Sequence, residues 1–503
     1  MLSNYLFRIV AFVFIPFLAE VIIRLWQNTL SFNFAAISFC VALINIIPFI
    51  SFPKFKKFWT WFYFSLFYIP TLVEICHIFL FVGDIGILAL KAVFETNISE
   101  AEEFIKSILN WKFCSFLFVV CSIFVSSLIW TLRSDSEKFK MKSWYKFLMI
   151  LFVIGLVASC FVHDKYKPVA ARIIKAFSYY LDEKDFIIEC INSRKNFSYG
   201  NILDTLKTDE RKTYVVVIGE SANRNHLSLY GYKRNTTPLL NQIKNELIVF
   251  NNVVSAHCQT LEVLKESLTF GNFSNGDVIS FFKAAGFKTF WISNQFNGGR
   301  WDNIIAIVGQ SSDVSKFINQ SDTQSTNGQC FDELLLEPFQ NALNDSAPKK
   351  IIFVHLLGSH SIYKNRYPDN FEIFKDHSTK NLQIISEYDN SIAYTDWILF
   401  ELIQKLRKQN VLSFLLYVSD HGEDVRDIPG CTFFHSPDVA TPPMFEIPFI
   451  VWLSPKYLSL NSQFVKNWNV NKFYKTDKLI HSIIQLSRLK NDKLKEKESI
   501  FED

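Results

Sequence analysis

Surplus charge is what this chain most plainly lacks. Its 52 Lys and Arg against 48 Asp and Glu leave a formal net charge of +4 over 503 residues. No extended basic patch accompanies that balance, so nothing in it points to a nucleic-acid partner. Internal repeats and low-complexity tracts are missing too. Charge is scarcest in five apolar stretches near 5–26, 30–51, 58–83, 113–132 and 147–163. Each runs to about 20 residues, enough to cross a hydrocarbon core about 30 Å thick. A cleaved signal peptide fits poorly, because the first stretch is too long for a signal h-region and four more follow it. Soluble buried helices would not leave successive segments almost bare of charge at their centres.

What is present is uneven. Lys54, Lys56 and Lys57 lie between the second and third stretches, and Arg133, Lys138, Lys140, Lys142 and Lys146 between the fourth and fifth. The loop from about 84 to 112 is instead acidic, with Asp84, Glu95, Glu100, Glu102 and Glu103. Basic residues beside membrane segments are retained on the cytoplasmic side. The expectation is an N-terminus inside and everything after the fifth helix outside. Five of the nine cysteines fall in the apolar stretches. Cys190, Cys258, Cys330 and Cys431 lie beyond them, where an oxidising compartment permits disulfides in any of three complete pairings, or free thiols.

Three regions follow: a five-helix transmembrane domain over 1–163, an amphipathic interfacial linker over 164–212, and an extracytoplasmic domain over 213–503. The last alternates short apolar runs with helical stretches, the pattern of an α/β fold with a largely parallel sheet. The runs are Tyr214–Ile218, Leu247–Val254, Thr289–Ser293, Ile351–Leu357, Leu412–Val418 and Pro448–Leu453.

In open α/β sheets the site lies beyond the carboxyl ends of the strands. Gly219-Glu220-Ser221 follows the first run, and a segment ending in Cys258-Gln259-Thr260 follows the second. Gly358-Ser359-His360 and Ser419-Asp420-His421-Gly422-Glu423 follow two others, and Phe434-His435 comes later. Oxygen and imidazole donors suit Zn²⁺ and related dications. A threonine hydroxyl is a poor nucleophile unless a metal or base activates it, which makes Thr260 a nucleophile as well as a ligand. Taken singly, Thr260 reads as a helix N-cap, Glu220 as a helix-capping acid, and His360 and His435 as structural histidines. Their joint occurrence at strand ends overturns those readings.

With these residues in hand, the chain resembles the membrane-bound phosphoethanolamine transferases of bacterial lipopolysaccharide, a branch of the alkaline phosphatase and sulfatase superfamily. The resemblance is carried by Gly219-Glu220-Ser221, Ser228-Leu229-Tyr230-Gly231-Tyr232 and Thr236-Thr237-Pro238. Gly358-Ser359-His360, Arg366-Tyr367-Pro368, Tyr388-Asp389-Asn390, Tyr394-Thr395-Asp396 and Ser419-Asp420-His421-Gly422-Glu423 extend it. It implies a sulfatase-like catalytic domain in the periplasm on an inner-membrane anchor, with zinc held by Glu220, Thr260, Asp420 and His421. Thr260 then carries phosphoethanolamine from phosphatidylethanolamine to lipid A or the core of lipopolysaccharide, with His360 and His435 facing the phosphoryl group or a second metal. By the same resemblance Asn97, Glu100 and Glu103 reach toward the donor lipid, and Arg300 takes a phosphate-binding lysine's place. Phosphoglycerol transfer and a protein acceptor are the rival outcomes. Sulfate-ester hydrolysis needs a Cys/Ser-x-Pro-x-Arg setting, and Cys258 to Glu262 contains neither Pro nor Arg.

Overall fold

The computed structural model describes the chain apart from Met1, most of 82–97, most of 134–168, 195–197, 207, 296–303, 320–329, 430–433, 436–439 and 503. The chain divides into two compact units, one formed by Met1–Thr96 with Glu100–Asp182, the other by Asn97–Ser99 with Glu183–Asp503.

In the first unit, four segments among the described residues are long and apolar enough to span a membrane: Tyr5–Trp26, Phe34–Ser51, Pro53–Leu80 and Trp111–Leu132. The fifth expected helix, 147–163, lies outside the described residues except for Phe147, Leu151 and Ile154. The first span belongs to helix α1 (Leu2–Trp26), which contains Pro16. Proline has no N–H and displaces the carbonyl one turn earlier. That carbonyl, of Phe12, instead accepts from the Tyr68 hydroxyl at 2.7 Å, and the Val13 carbonyl beside it accepts from Tyr63 at 2.7 Å. Both tyrosines flank or belong to a π-helical turn, Phe64–Tyr68, in the third span. The Phe12 ring stacks on Tyr68 with centroids 4.9 Å apart, so the turn before Pro16 and the π turn are locked together by hydrogen bonds and ring packing. Within 164–212 the chain forms a helix, Val169–Arg194, with Ile174, Phe177, Tyr179 and Leu181 exposed.

The second unit is built on seven strands: β1 (Lys212–Gly219), β2 (Leu247–Phe250), β3 (Lys288–Ser293), β4 (Val314–Phe317), β5 (Lys349–His355), β6 (Leu412–Ser419) and β7 (Phe449–Leu453). Their order across the sheet is β2-β7-β6-β1-β5-β3-β4. Strands β6, β1, β5, β3 and β4 run parallel, whereas β7 is antiparallel to both β6 and β2. The sheet is therefore mixed at one side, and the run ending at Leu453 opens on the opposite edge from the site. The Leu247–Val254 run is also broken, with Val253–Val254 pairing instead with Tyr474–Lys475. Strand β1 is buried throughout. Tyr214, Val216 and Ile218 join one apolar layer and Val215 and Val217 the other, the period-two alternation of a sheet covered on both faces.

Candidate active site and metal centre

The carboxyl ends of the central strands bring the site together. Glu220 leaves β1 and is followed by Ser221 at φ +58°, a conformation non-glycine residues adopt only when the surroundings hold it. Here the Ser221 backbone N–H donates to Asp420 Oδ1 at 3.1 Å, and its hydroxyl donates to Glu220 Oε1 at 2.7 Å. The loop after β5 lies against the same residue. Gly358 has φ +52°, and a Cβ there would stand 2.7 Å from the Glu220 carbonyl oxygen, so only glycine fits. Asp332 anchors that loop by accepting from the Leu357 and Gly358 backbone N–H groups at 2.9 Å each.

Thr260 is the first residue of helix Thr260–Ser267, whose N-cap is Gln259 without a side-chain cap bond. The N-cap reading of Thr260 is thereby corrected. Its hydroxyl is instead aimed across the site, donating to Glu220 Oε2 at 3.2 Å and lying 3.4 Å from His421 Nε2. Asp420 and His421 leave β6. The His421 Nδ1 contacts the Gly422 carbonyl at 2.9 Å, so Nε2 faces inward, 3.3 Å from Glu220 Oε1 and 3.6 Å from Asp420 Oδ2.

One donor atom from each of Glu220, Asp420 and His421 falls within 4.8 Å of the others, and all three residues are buried. Asp420 Oδ2 is buried and takes no hydrogen bond among the described residues. Two carboxylates this close in a buried setting repel. Burial, then the Glu220 charge, pushes the Asp420 carboxyl up to about 7. Burial also works against a charged Glu220, yet the hydrogen bond and charge of His421 hold it well below the usual carboxylate range. For His421, burial is outweighed by Asp420 and Glu220, which raise it to about 10. An orphaned oxygen among convergent hard and imidazole donors is what a dication requires, so these residues fit one.

Around this core, His435 Nδ1 pairs with Glu423 Oε1 at 2.7 Å, and its ring centroid lies 4.6 Å from that of His421. The other Glu423 oxygen accepts from the Tyr363 hydroxyl. His360 is half-buried, and its charge acts on Glu220. Its carbonyl accepts from Arg366 Nε at 3.2 Å. Gln295 went unnoticed in the sequence, although it lies just past β3 and the strand-end rule would have found it. Its amide donates to Glu220 Oε2 at 3.2 Å and to the Leu356 carbonyl at 2.9 Å.

Other motif residues prove to be scaffold. His226 bridges Asp389 at 2.7 Å and Asp427 at 3.1 Å. Asp396 accepts from the backbone N–H groups of Leu239 and Leu240 at 2.9 Å each, joining Tyr394-Thr395-Asp396 to Thr236-Thr237-Pro238. Asn97 and Arg300 lie outside the described residues. Glu100 and Glu103 sit on helix Ile98–Ile108, with their side chains outside the description. Of the four outlying cysteines, Cys258 is buried and Cys330 half-buried, while Cys431 and the side chain of Cys190 are not described.

A twisted sheet with buried acid, imidazole and hydroxyl groups at its strand ends is the sulfatase plan, and the sulfatase family model matches residues 212–488. The chain is 32% identical over 486 residues to phosphoethanolamine transferase EptC of Escherichia coli strain K12, covering 89% of this chain and 83% of that protein. The zinc-complexed crystal structure of the C-terminal periplasmic domain of Escherichia coli EptC is 37% identical, with a TM-score of 0.55. That match covers 60% of this chain and 89% of that one. Lipooligosaccharide phosphoethanolamine transferase A from Neisseria meningitidis shares the fold over 98% of this chain and 97% of its own, at a TM-score of 0.68 and 19% identity. The chain belongs to the sulfatase family and, within it, to the phosphoethanolamine transferases.

Proposed function

We propose that the protein moves phosphoethanolamine from phosphatidylethanolamine to lipopolysaccharide, on lipid A or the core, through a covalent phosphoethanolamine on Thr260. The observation that carries this reading is the aim of the Thr260 hydroxyl, off its helix cap and into the buried Glu220–Asp420–His421 cluster. Glu220, Asp420, His421 and Thr260 would hold a zinc ion, which would supply Lewis acidity to the hydroxyl and the phosphoryl oxygens.

The chain's own groups do the rest. As the Thr260 oxygen attacks phosphorus its proton passes to Glu220 Oε2, to which the hydroxyl already donates, and it returns to Thr260 when that oxygen leaves. The bond from phosphorus to the diacylglycerol oxygen breaks, and that oxygen takes up a proton. His435, oriented by Glu423, is the group to deliver it. In the second half the acceptor oxygen attacks the same phosphorus, its proton passes to His435, and Thr260 Oγ1 leaves as the restored hydroxyl. The amino end of the Thr260–Ser267 helix favours the negative phosphoryl group. His360 faces that group, and Asn97, Glu100, Glu103 and Arg300 remain the donor-contacting residues of this proposal. The basic loops put the N-terminus in the cytoplasm and the catalytic unit in the periplasm, on the inner membrane.

Mass spectrometry of lipid A and core from cells with and without the protein tests the transfer. A protein-dependent gain of phosphoethanolamine on either is expected. A gain of phosphoglycerol, or no change in lipopolysaccharide beside a modified protein, would overturn the assignment.

A further inference from the structure

Four of the charged residues buried in the membrane unit, Glu20, Arg24, Glu74 and Arg172, form one cluster that the transfer mechanism does not use. Arg24 donates through two nitrogens to a single oxygen, Glu20 Oε1, at 3.1 and 2.7 Å, and through one of them to Glu74 Oε1 at 3.0 Å. Arg172 reaches Glu74 Oε2 at 3.1 Å and donates to the Ile85 carbonyl. The Arg24 guanidinium also lies 4.0 Å from the Phe34 ring centroid. Glu20 and Arg24 are near the end of the first span, Phe34 begins the second, and Glu74 is near the end of the third. Antiparallel spans bring these ends to one side of the bundle.

Ionisable groups inside an apolar bundle are costly and mark sites. Here they adjoin a cleft lined by Glu20 and Arg172, by the hydroxyl residues Ser38 and Thr71, and by the apolar walls of Phe17 and Phe67. The backbone irregularities of this unit converge on it too, since Pro16, Pro70 and the π-helical Leu66 all line it, and such breaks recur at functional sites. Glu20 Oε2, the oxygen not engaged by Arg24, takes no hydrogen bond among the described residues.

We infer that this cleft is a binding site for one zwitterionic glycerophospholipid with a primary-amine headgroup. Arg172 matches the phosphate and Glu20 Oε2 the ammonium, which brings N–H donors. Ser38 and Thr71 supply hydroxyls beside the glycerol, and Phe17 and Phe67 flank an acyl chain. A zwitterion leaves the local charge balance unchanged. A glycerol headgroup would bring uncompensated negative charge against Glu20, and a choline headgroup has no N–H to offer it. The inference deepens the donor assignment above and rests on it only for the identity of the lipid as donor.

The test uses full-length Thr260→Ala protein, which cannot consume the lipid, reconstituted with phosphatidylethanolamine, phosphatidylcholine or phosphatidylglycerol and read by native mass spectrometry for retained lipid. The expected result is one phosphatidylethanolamine retained about tenfold better than the other two, the worth of one charge-assisted contact. Adding Glu20→Gln should erase that preference, while Arg172→Met should weaken all three lipids alike. Equal retention of the three lipids by the protein with Glu20 and Arg172 intact would overturn the inference, as would an undiminished preference in folded Glu20→Gln protein. The proposed function fails separately: Thr260-containing protein that gains no phosphoethanolamine would sink it without touching lipid retention.

Discussion

The two units bury charge in opposite ways. In the catalytic unit, Glu220 and Asp420 point the same sign at one spot, with only His421 between them and one carboxylate oxygen orphaned. In the membrane unit, Glu20, Arg24, Glu74 and Arg172 alternate in sign along a chain of ion pairs. Like charges crowded together in a buried site both stay ionised only if a cation joins them, whereas alternating charges largely cancel on their own. The first arrangement signals a metal. The second signals a neutral network whose remaining polar capacity suits a neutral, zwitterionic visitor.

The comparison can be broken at several points. Removing the Thr260 hydroxyl should abolish transfer, with a loss of at least about a thousandfold, as expected when a covalent step is deleted. Replacing Asp420 by Asn comes next. It removes one of two converging charges, so bound zinc, measured by elemental analysis, should drop to well below one per chain. Zinc retained in full would mean that the orphaned oxygen is not a ligand. Gly358→Ala should cost about 1–3 kcal/mol through its left-handed backbone, read as a lower melting temperature. It should also weaken zinc retention, because the new methyl group displaces Glu220. Gln295→Ala removes one amide bond to Glu220, and transfer should fall about tenfold or less, with zinc content unchanged.

The smallest effect concerns pH. Burial disfavours the His226 imidazolium, but its bonds to Asp389 and Asp427 win and raise it to about 9. The stability it contributes is complete below the unfolded value of about 6.5 and is lost as pH climbs through about 9. The melting temperature should therefore fall over that interval, and less steeply in His226→Gln. Equal slopes would show that the protonated His226 bridge contributes nothing.

Much of the site was legible because a parallel strand end projects whatever residue follows it, and Glu220, Thr260, Asp420 and His421 each follow an apolar run. The same rule was not carried to β3, so Gln295 was missed. Strand direction was not legible: Phe449–Leu453 is as apolar as its neighbours, and only its pairing shows it to be antiparallel. The Thr260 N-cap reading failed because the helix begins one residue earlier than residue type suggests, at Thr260 itself, with Gln259 as its cap. The membrane charge cluster was invisible for a different reason. Glu20 and Arg24 stand four apart in one apolar run, but Arg24 also meets a Glu74 that is 50 residues away, and no local pattern announces that pairing.

The central claim is that Thr260 carries the phosphoethanolamine group. Intact-mass and peptide analysis of zinc-loaded, full-length protein mixed with phosphatidylethanolamine tests it most directly. The expected result is an adduct of phosphoethanolamine mass on the peptide containing Thr260, absent from Thr260→Ala. An adduct on another residue, or none from a preparation that transfers phosphoethanolamine to lipopolysaccharide, would contradict it.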